Sequence, residues 1–262
     1  MPFTTSNGCR IYWEESGAGD PLLLIMGLGY SHEMWHRTRP EMAKHYRTIV
    51  FDNRGVGKSD VPAGAYAISQ MADDAAAVLD AAGVERAHVY GISMGGMIAQ
   101  EMALNHPERV RSLILGCTGC GGVHAVAAAP AVIQMLMARA MMTAEEGVEA
   151  MVPFIYGAAT PRERIDEDLA IRQRTFPQAA GYLGQVQGIM AWSCFDRLPN
   201  IHVPTLVLHG DADQLVPVEN GRILARKIPG ARLTLFEKAS HIYPTDAPEA
   251  SNQAALSFLA NI

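Results

Sequence analysis

Val89-Tyr90-Gly91-Ile92-Ser93-Met94-Gly95-Gly96-Met97-Ile98-Ala99-Gln100 decides how the rest of the chain is read. An apolar run ends in Gly-x-Ser-x-Gly and passes at once into residues that suit a helix. The pattern predicts a strand turning sharply into a helix, with Ser93 at the apex. Such a turn crowds the residues two before and two after the serine, so Gly91 and Gly95 are expected there because they lack a Cβ. The same turn pushes Oγ into the open and leaves N–H groups at the helix start without intrahelical acceptors. Taken alone, Gly-x-Ser-x-Gly also fits an ordinary glycine-rich turn. The flanking sequence has to supply what an exposed serine needs.

Working outward, residues 21–26, 46–52 and 110–116 are short apolar runs that suit strands buried on both faces of a parallel sheet. Residues 9–15 alternate like a further strand. Helix-like sequence fills 31–45 and 69–82, the second with Ser69 as a candidate N-cap and Gly83 as the stop. From about 119 to 197 no buried-strand run occurs, only helix-like sequence rich in Ala, Met, Gln and Arg. Strand signals resume at 203–210 and 231–236, and a last helix is expected over 248–260. Strands alternating with helices predict an α/β chain with a mostly parallel, doubly wound sheet. Its core is expected over 1–118 and 198–262, with 119–197 a helical cap inserted after the sixth strand.

At 262 residues the chain is long enough for one large core, and 49% hydrophobic with 18% charged residues excludes a disordered class. A net charge of −6 argues against nucleic acid or an anionic membrane as partner. No apolar run approaches the ~20 residues of a bilayer span, and residues 1–8 lack a basic, then apolar leader. Four cysteines are too few for a disulfide framework. Cys117-Thr118-Gly119-Cys120 has no second pair to complete a zinc site. A cytoplasmic protein is the expectation; the sequence leaves monomer and homodimer open.

A serine hydroxyl is a poor nucleophile near neutral pH, so it needs a base, and the base needs an orienting acid. In open parallel sheets such groups collect in loops beyond the carboxyl ends of strands. Two loops qualify: His209-Gly210-Asp211-Ala212-Asp213-Gln214-Leu215-Val216-Pro217 and Glu237-Lys238-Ala239-Ser240-His241-Ile242-Tyr243-Pro244. Ser93, Asp213 and His241 then follow the chain order expected of this turn. Asp211 is the rival acid and Glu237 a third candidate, while His241 on its own could be a hydrogen-bonded loop histidine.

The chain resembles the α/β-hydrolase superfamily, and specifically small capped esterases and lactonases similar to 3-oxoadipate enol-lactonase. The resemblance covers nearly the whole chain. It rests on Gly91-x-Ser93-x-Gly95-Gly96, Asp52-x-Arg54-Gly55-x-Gly57-x-Ser59, Gly210-x-x-Asp213-x-x-Val216-Pro217 and Ser240-His241. It implies an α/β-hydrolase fold with Ser93 as nucleophile, His241 as base then acid, and Asp213 as the orienting carboxylate. It also implies an oxyanion hole built from the backbone N–H groups of Met94 and Leu28. The usual pattern beside the second donor is His-Gly-x; this chain has Met26-Gly27-Leu28, so support for that loop must differ.

Other motifs are set aside. Gly55-Val56-Gly57-Lys58-Ser59 imitates the end of a phosphate-binding loop, but Asp52 stands where glycine is needed and Pro62 interrupts the required helix. Gly27-Leu28-Gly29-Tyr30-Ser31-His32 lacks the third glycine of a dinucleotide loop. Arg54 reads as a structural loop arginine. No H-E-x-x-H or spaced His/Cys set suggests a metal, and no cofactor is expected.

For the substrate pocket, Met34 and Trp35 follow the oxyanion loop and Tyr243 follows His241. Met135, Met137, Met141, Met142, Phe154, Tyr156 and Trp192 of the cap could line an adaptable apolar site, or simply pack the cap on the core. Arg139, Arg162, Arg164, Arg172 and Arg174 lie among acidic neighbours and read as a solvated face. The expectation is a cofactor-free serine carboxylic-ester hydrolase acting on a small, fairly apolar ester. A lactone, carbon–carbon or perhydrolytic reaction with the same triad is the alternative, and a non-catalytic ligand receptor is the alternative of another class.

Overall fold

The apolar runs around Leu23, Val89 and Leu113 lie side by side, Leu23 opposite Val89 and Val89 opposite Leu113. The structure, a computed structural model, describes residues 2–262. Its strands are β1 (Phe3–Ser6), β2 (Cys9–Ser16), β3 (Pro21–Ile25), β4 (Arg47–Phe51), β5 (Ala87–Ile92), β6 (Val110–Gly116), β7 (Thr205–Gly210) and β8 (Arg232–Phe236). They form one sheet in the order β1-β2-β4-β3-β5-β6-β7-β8. β1 and β2 run antiparallel to their neighbours, and every other pairing is parallel.

Because side chains alternate across a strand, each apolar run feeds two cores. Leu23, Ile25, Val89, Leu113 and Leu115 face one side, where α2 (Ile68–Ala81) brings Met71, Ala75 and Leu79 and α3 (Met94–Asn105) brings Ile98 and Met102. Leu22, Leu24, Tyr90 and Ile114 face the other, against Trp35, Met42 of α1 (Arg39–Met42), and Phe258 and Leu259 of α11 (Pro248–Leu259). Each fully buried Leu, Ile or Phe adds ~1.5–3 kcal/mol, so a charge at Ile98 or Leu24 would break a layer.

Between β6 and β7 the chain is helical: α4 (Pro130–Ala138), α5 (Ala144–Glu149), α6 (Val152–Ile155), α7 (Arg162–Arg174) and α8 (Ala179–Ala191). This segment has its own small core of Val148, Met151, Ile155, Ile165 and Leu169. Its two ends are pinched together, Gly121 bridging Ser193 and Cys194 N–H donating to Cys120 C=O at 2.9 Å. α9 (Glu219–Lys227) and α10 (Tyr243–Asp246) complete the element order.

Three local readings change. A further strand, β1, precedes the expected one at 9–15 and closes a hairpin on β2 through Asn7 and Gly8, both at positive φ. α2 begins at Ile68 with Ala67 as cap and no side-chain cap bond, so Ser69 lies inside the helix. Residues 31–45 yield only a 3-10 turn over His32–Trp35 and the single turn of α1, since Pro40 is accepted in the first turn of α1 but not inside one continuous helix. Among the described residues no helix is long and apolar enough to cross a membrane.

Candidate active site

β5, a central strand, carries Ser93 to the carboxyl end of the sheet, where the backbone adopts φ 56 and ψ −122 before α3 begins. This conformation is strained for an L-residue by ~1–3 kcal/mol. It is held by Ser93 N–H donating to Gly116 C=O at 2.8 Å, and by Thr118 Oγ1–H donating to Ser93 C=O at 2.7 Å. A Cβ on Gly91 would sit 2.8 Å from Gly96 N and closer still to Gly95 O. One on Gly95 would sit 2.7 Å from the Ile25 carbonyl carbon and 2.8 Å from Met26 O. Neither glycine can carry a side chain without moving α3 against β3.

The loop after β7 gives Asp213 and the loop after β8 gives His241. Asp213 Oδ1 accepts from Leu215 N–H at 2.9 Å and Val216 N–H at 2.8 Å, an Asx-type turn. Its Oδ2 accepts from His241 Nδ1 at 2.8 Å, which leaves His241 Nε2 as the unprotonated nitrogen in the neutral ring. Behind the pair, His209 Nε2 donates to Val216 C=O at 2.8 Å and lies 3.4 Å from Asp213 Oδ2. Burial works against the Asp213 carboxylate, but His241 and His209 outweigh it and bring its pKa down to about 2. Burial likewise disfavours the His241 cation, yet the Asp213 charge and the neighbouring Cys117 hold the imidazole well above the ordinary histidine range. Asp211 faces elsewhere, accepting from Lys238 N–H at 2.6 Å. Glu237 is exposed and pairs only with Lys238.

Cys117 was not a site candidate in the sequence. It sits just past β6 at φ 37, fully buried, with Sγ within 4.8 Å of the ligating atoms of both Asp213 and His241. Burial raises its thiol pKa, with His241 opposing, and all four cysteines are free. Cys117 directly follows the carboxyl end of β6, the position at which active groups collect in open parallel sheets.

Ser93, His241, Met94 and Leu28 open onto one cavity of about 550 Å³, walled also by Met26 and Met97. Gly27 packs on the serine: a Cβ there would be 3.0 Å from Ser93 Cβ. The Met26 carbonyl accepts from Asn53 Nδ2 at 2.9 Å, and Gly29 N–H donates to Gln185 Oε1 at 2.8 Å. Gln185 Nε2 in turn donates to Arg54 C=O at 2.8 Å, and Arg54 forks onto Asp74 with two bonds of 2.6 Å.

The five expected pocket residues lie outside the cavity wall. Trp35 packs against Tyr90, the ring centres 5.0 Å apart and the planes tilted by 60°, with Met34 buried in the same layer. Tyr243 is fully buried, its hydroxyl 2.6 Å from that of Tyr90. Trp192 donates from Nε1 to Glu101 at 2.6 Å, and Met135 packs within the helical segment. For Met34, Trp35 and Tyr243, closeness in sequence to a candidate site loop did not reveal which face of the sheet the side chain joins. The expected solvated arginine face also divides. The side chains of Arg162 and Arg174 are exposed and paired with carboxylates, whereas Arg139 and Arg172 are 2% and 1% exposed, and Arg139 lines the cavity.

Residues 20–142 match the sequence model of a family described as the alpha/beta hydrolase fold. A protein named carbamate hydrolase RutD from Azorhizobium caulinodans is 34% identical over 100% of this chain and 99% of its own length. The 3-oxoadipate enol-lactonase 2 of Acinetobacter baylyi is 30% identical over 95% of this chain and 93% of its own. Among solved structures, an enol-lactonase from Burkholderia xenovorans LB400 superposes with a TM-score of 0.89 at 27% identity, covering 99% of this chain and 100% of that one. With a mostly parallel eight-stranded sheet and a serine at its strand-to-helix apex, the chain belongs to the α/β-hydrolase family.

Proposed function

We propose that this hydrolase cleaves carboxylic esters and lactones through an acyl-enzyme, with Ser93 as nucleophile, His241 as general base then acid, and Asp213 as its orienting partner. One observation carries the reading: Ser93 at its strained apex and the Asp213-bonded His241 open into the same largely apolar cavity. Ser93 Oγ attacks the carbonyl carbon while its proton passes to His241 Nε2. The tetrahedral oxyanion is held by the N–H groups of Leu28 and Met94, each worth ~10²–10³ in kcat. Collapse expels the alkoxide, which takes the proton from His241. Water then repeats the sequence on the acyl-enzyme and releases the acid.

The segment 119–197 acts as a cap over a core of 1–118 and 198–262, excluding bulk water from the developing charge. Lactone opening is the same chemistry with the leaving alcohol still tethered, and the similarity to two enol-lactonases favours it as a second reading. Turnover of 4-nitrophenyl acetate and butyrate by wild type and Ser93→Ala tests the mechanism. Wild type should show a burst and turnover, and Ser93→Ala neither; a mutant as active as wild type would overturn the assignment.

A further inference from the structure

We propose that Arg139 binds a carboxylate carried by the substrate, so that the preferred class is an ester or lactone bearing an acid group a few bonds from the scissile carbonyl. This rests on the hydrolase reading above and narrows its substrate.

Arg139 lies just past α4 and is 2% exposed. Its Nε and Nη2 are buried without a hydrogen-bond partner, and no carboxylate forms an ion pair with it among the described residues. Around it, Tyr30, Phe176 and Tyr182 present ring centres 5.0, 4.9 and 5.1 Å from the guanidinium carbon. Ring faces favour the cation but accept few of its five N–H donors. A buried guanidinium with two of its three nitrogens unpartnered is costly unless something else completes it. The donor fork matches a carboxylate bidentately, and the aromatic cage holds it in place beforehand.

No neighbour supplies that anion. Arg172, also buried, stacks on the same Tyr30 ring at 4.8 Å and donates to the hydroxyls of Tyr30 and Tyr156. The carboxylate of Asp168 beyond them already serves Tyr156, Thr245, His36 and Arg37. Burial would raise the Tyr30 phenol, yet Arg172 and Arg139, with His241, bring it below its usual range, the signature of an excess positive potential.

The cation is also well placed for the chemistry. Arg139 is the one Lys, Arg, Asp or Glu in a wall otherwise dominated by apolar side chains. A Cβ on Gly27 would lie 3.6 Å from Ser93 Oγ, and a Cβ on Gly29 would lie 3.0 Å from Arg139 Nη1. Two residues of chain span at most ~7 Å, and Leu28, the inferred oxyanion donor, stands between them. A substrate lying along this loop places its carbonyl at Leu28 and an acid group at Arg139.

The test compares 4-nitrophenyl butyrate with the 4-nitrophenyl monoesters of succinate, glutarate and adipate on wild type, Arg139→Gln and Arg139→Lys. Wild type should favour one of the charged esters. Arg139→Gln should lose ~10²-fold more in kcat/KM on that ester than on butyrate, with partial recovery in Arg139→Lys. Should Arg139→Gln fold poorly, wild type is assayed on butyrate with glutarate or glutaramide added; competitive inhibition by glutarate alone supports the site. Equal losses on charged and neutral esters, or inhibition by neither additive, overturn the proposal while leaving the hydrolase intact. If no ester is turned over, the hydrolase reading has failed instead. Calorimetric binding of glutarate, present in wild type and lost in Arg139→Gln, then decides the anion site separately.

Discussion

Gly95→Ala probes the geometry that joins the fold to the proposed chemistry. The new methyl would lie 2.7 Å from the Ile25 carbonyl carbon. The Ile25 carbonyl oxygen is closer still, so reaching the ~3.5 Å of ordinary carbon contact requires the start of α3 and the end of β3 to part by at least about 0.8 Å. Neither side yields easily, because β3 is paired on both edges and Ser93 N–H is fixed to Gly116. Overpacking of this kind costs ~1–3 kcal/mol, a fall in Tm of roughly 2–12 °C for a chain of this size. The same displacement moves Met94 N–H away from Leu28, and a shift near 1 Å at a reacting centre is worth up to ~10²-fold in rate. Differential scanning calorimetry and kcat on 4-nitrophenyl butyrate read the two effects. Gly230→Ala is the control: its φ is 71 but a Cβ there meets nothing within 4 Å, so it should lose about 1–2 kcal/mol and keep wild-type kcat. A Gly95→Ala enzyme with lowered Tm but kcat within threefold of wild type would refute the link between this close approach and the oxyanion donors.

Asp213→Asn should lower kcat by ~10⁴, while Asp211→Asn, whose carboxylate caps the Lys238 N–H instead, should stay within twofold; the reverse order would reassign the acid. Because His241 is raised above 6.5, kcat/KM should fall as pH drops through an apparent pKa above that value, read from a pH–rate profile on a neutral ester. The pair also shapes stability. The lowered Asp213 pKa contributes stability above 3.8 that is lost as pH falls toward about 2. The raised His241 contributes stability below 6.5 that is lost as pH rises through its folded value. The Tm difference between wild type and His241→Gln should therefore peak between those two limits. Gln185→Leu strands Gly29 N–H and Arg54 C=O, each costing ~1–3 kcal/mol, and should lower both Tm and kcat by calorimetry and steady-state assay.

What the sequence revealed was what local geometry constrains. Gly91 and Gly95 are dictated by covalent crowding at one turn, and Asp213 and His241 by the ends of strands whose apolar runs are contiguous. The hairpin of β1 carried a legible Asn7-Gly8 turn, but its four residues gain order mainly from pairing with β2, Phe3 facing Tyr12. Burial of Arg139 and Arg172 had no local signature. A helix pattern tells which side chains share a face, and only the long-range fold decides whether that face meets solvent or a cavity. Met34, Trp35 and Tyr243 follow the same rule: each lies near a candidate site loop in sequence, and each turns into the layer beneath the sheet.

The loop opposite Ser93 shows how a departure from the family pattern is accommodated. Where a histidine usually stands, Met26 offers only its carbonyl, and Asn53 holds that from the core. The far end of the loop is held by Gln185, a residue of α8 more than 150 positions away, which also binds the Arg54 backbone fixed by Asp74. Gln185 is fully buried and both ends of its amide are used, so it cannot leave without stranding two backbone groups. Under the proposed mechanism Leu28 N–H sits between these two supports. Its aim then depends on the helical segment being seated, and the docking of α8 and the readiness of the oxyanion donor become one structural event.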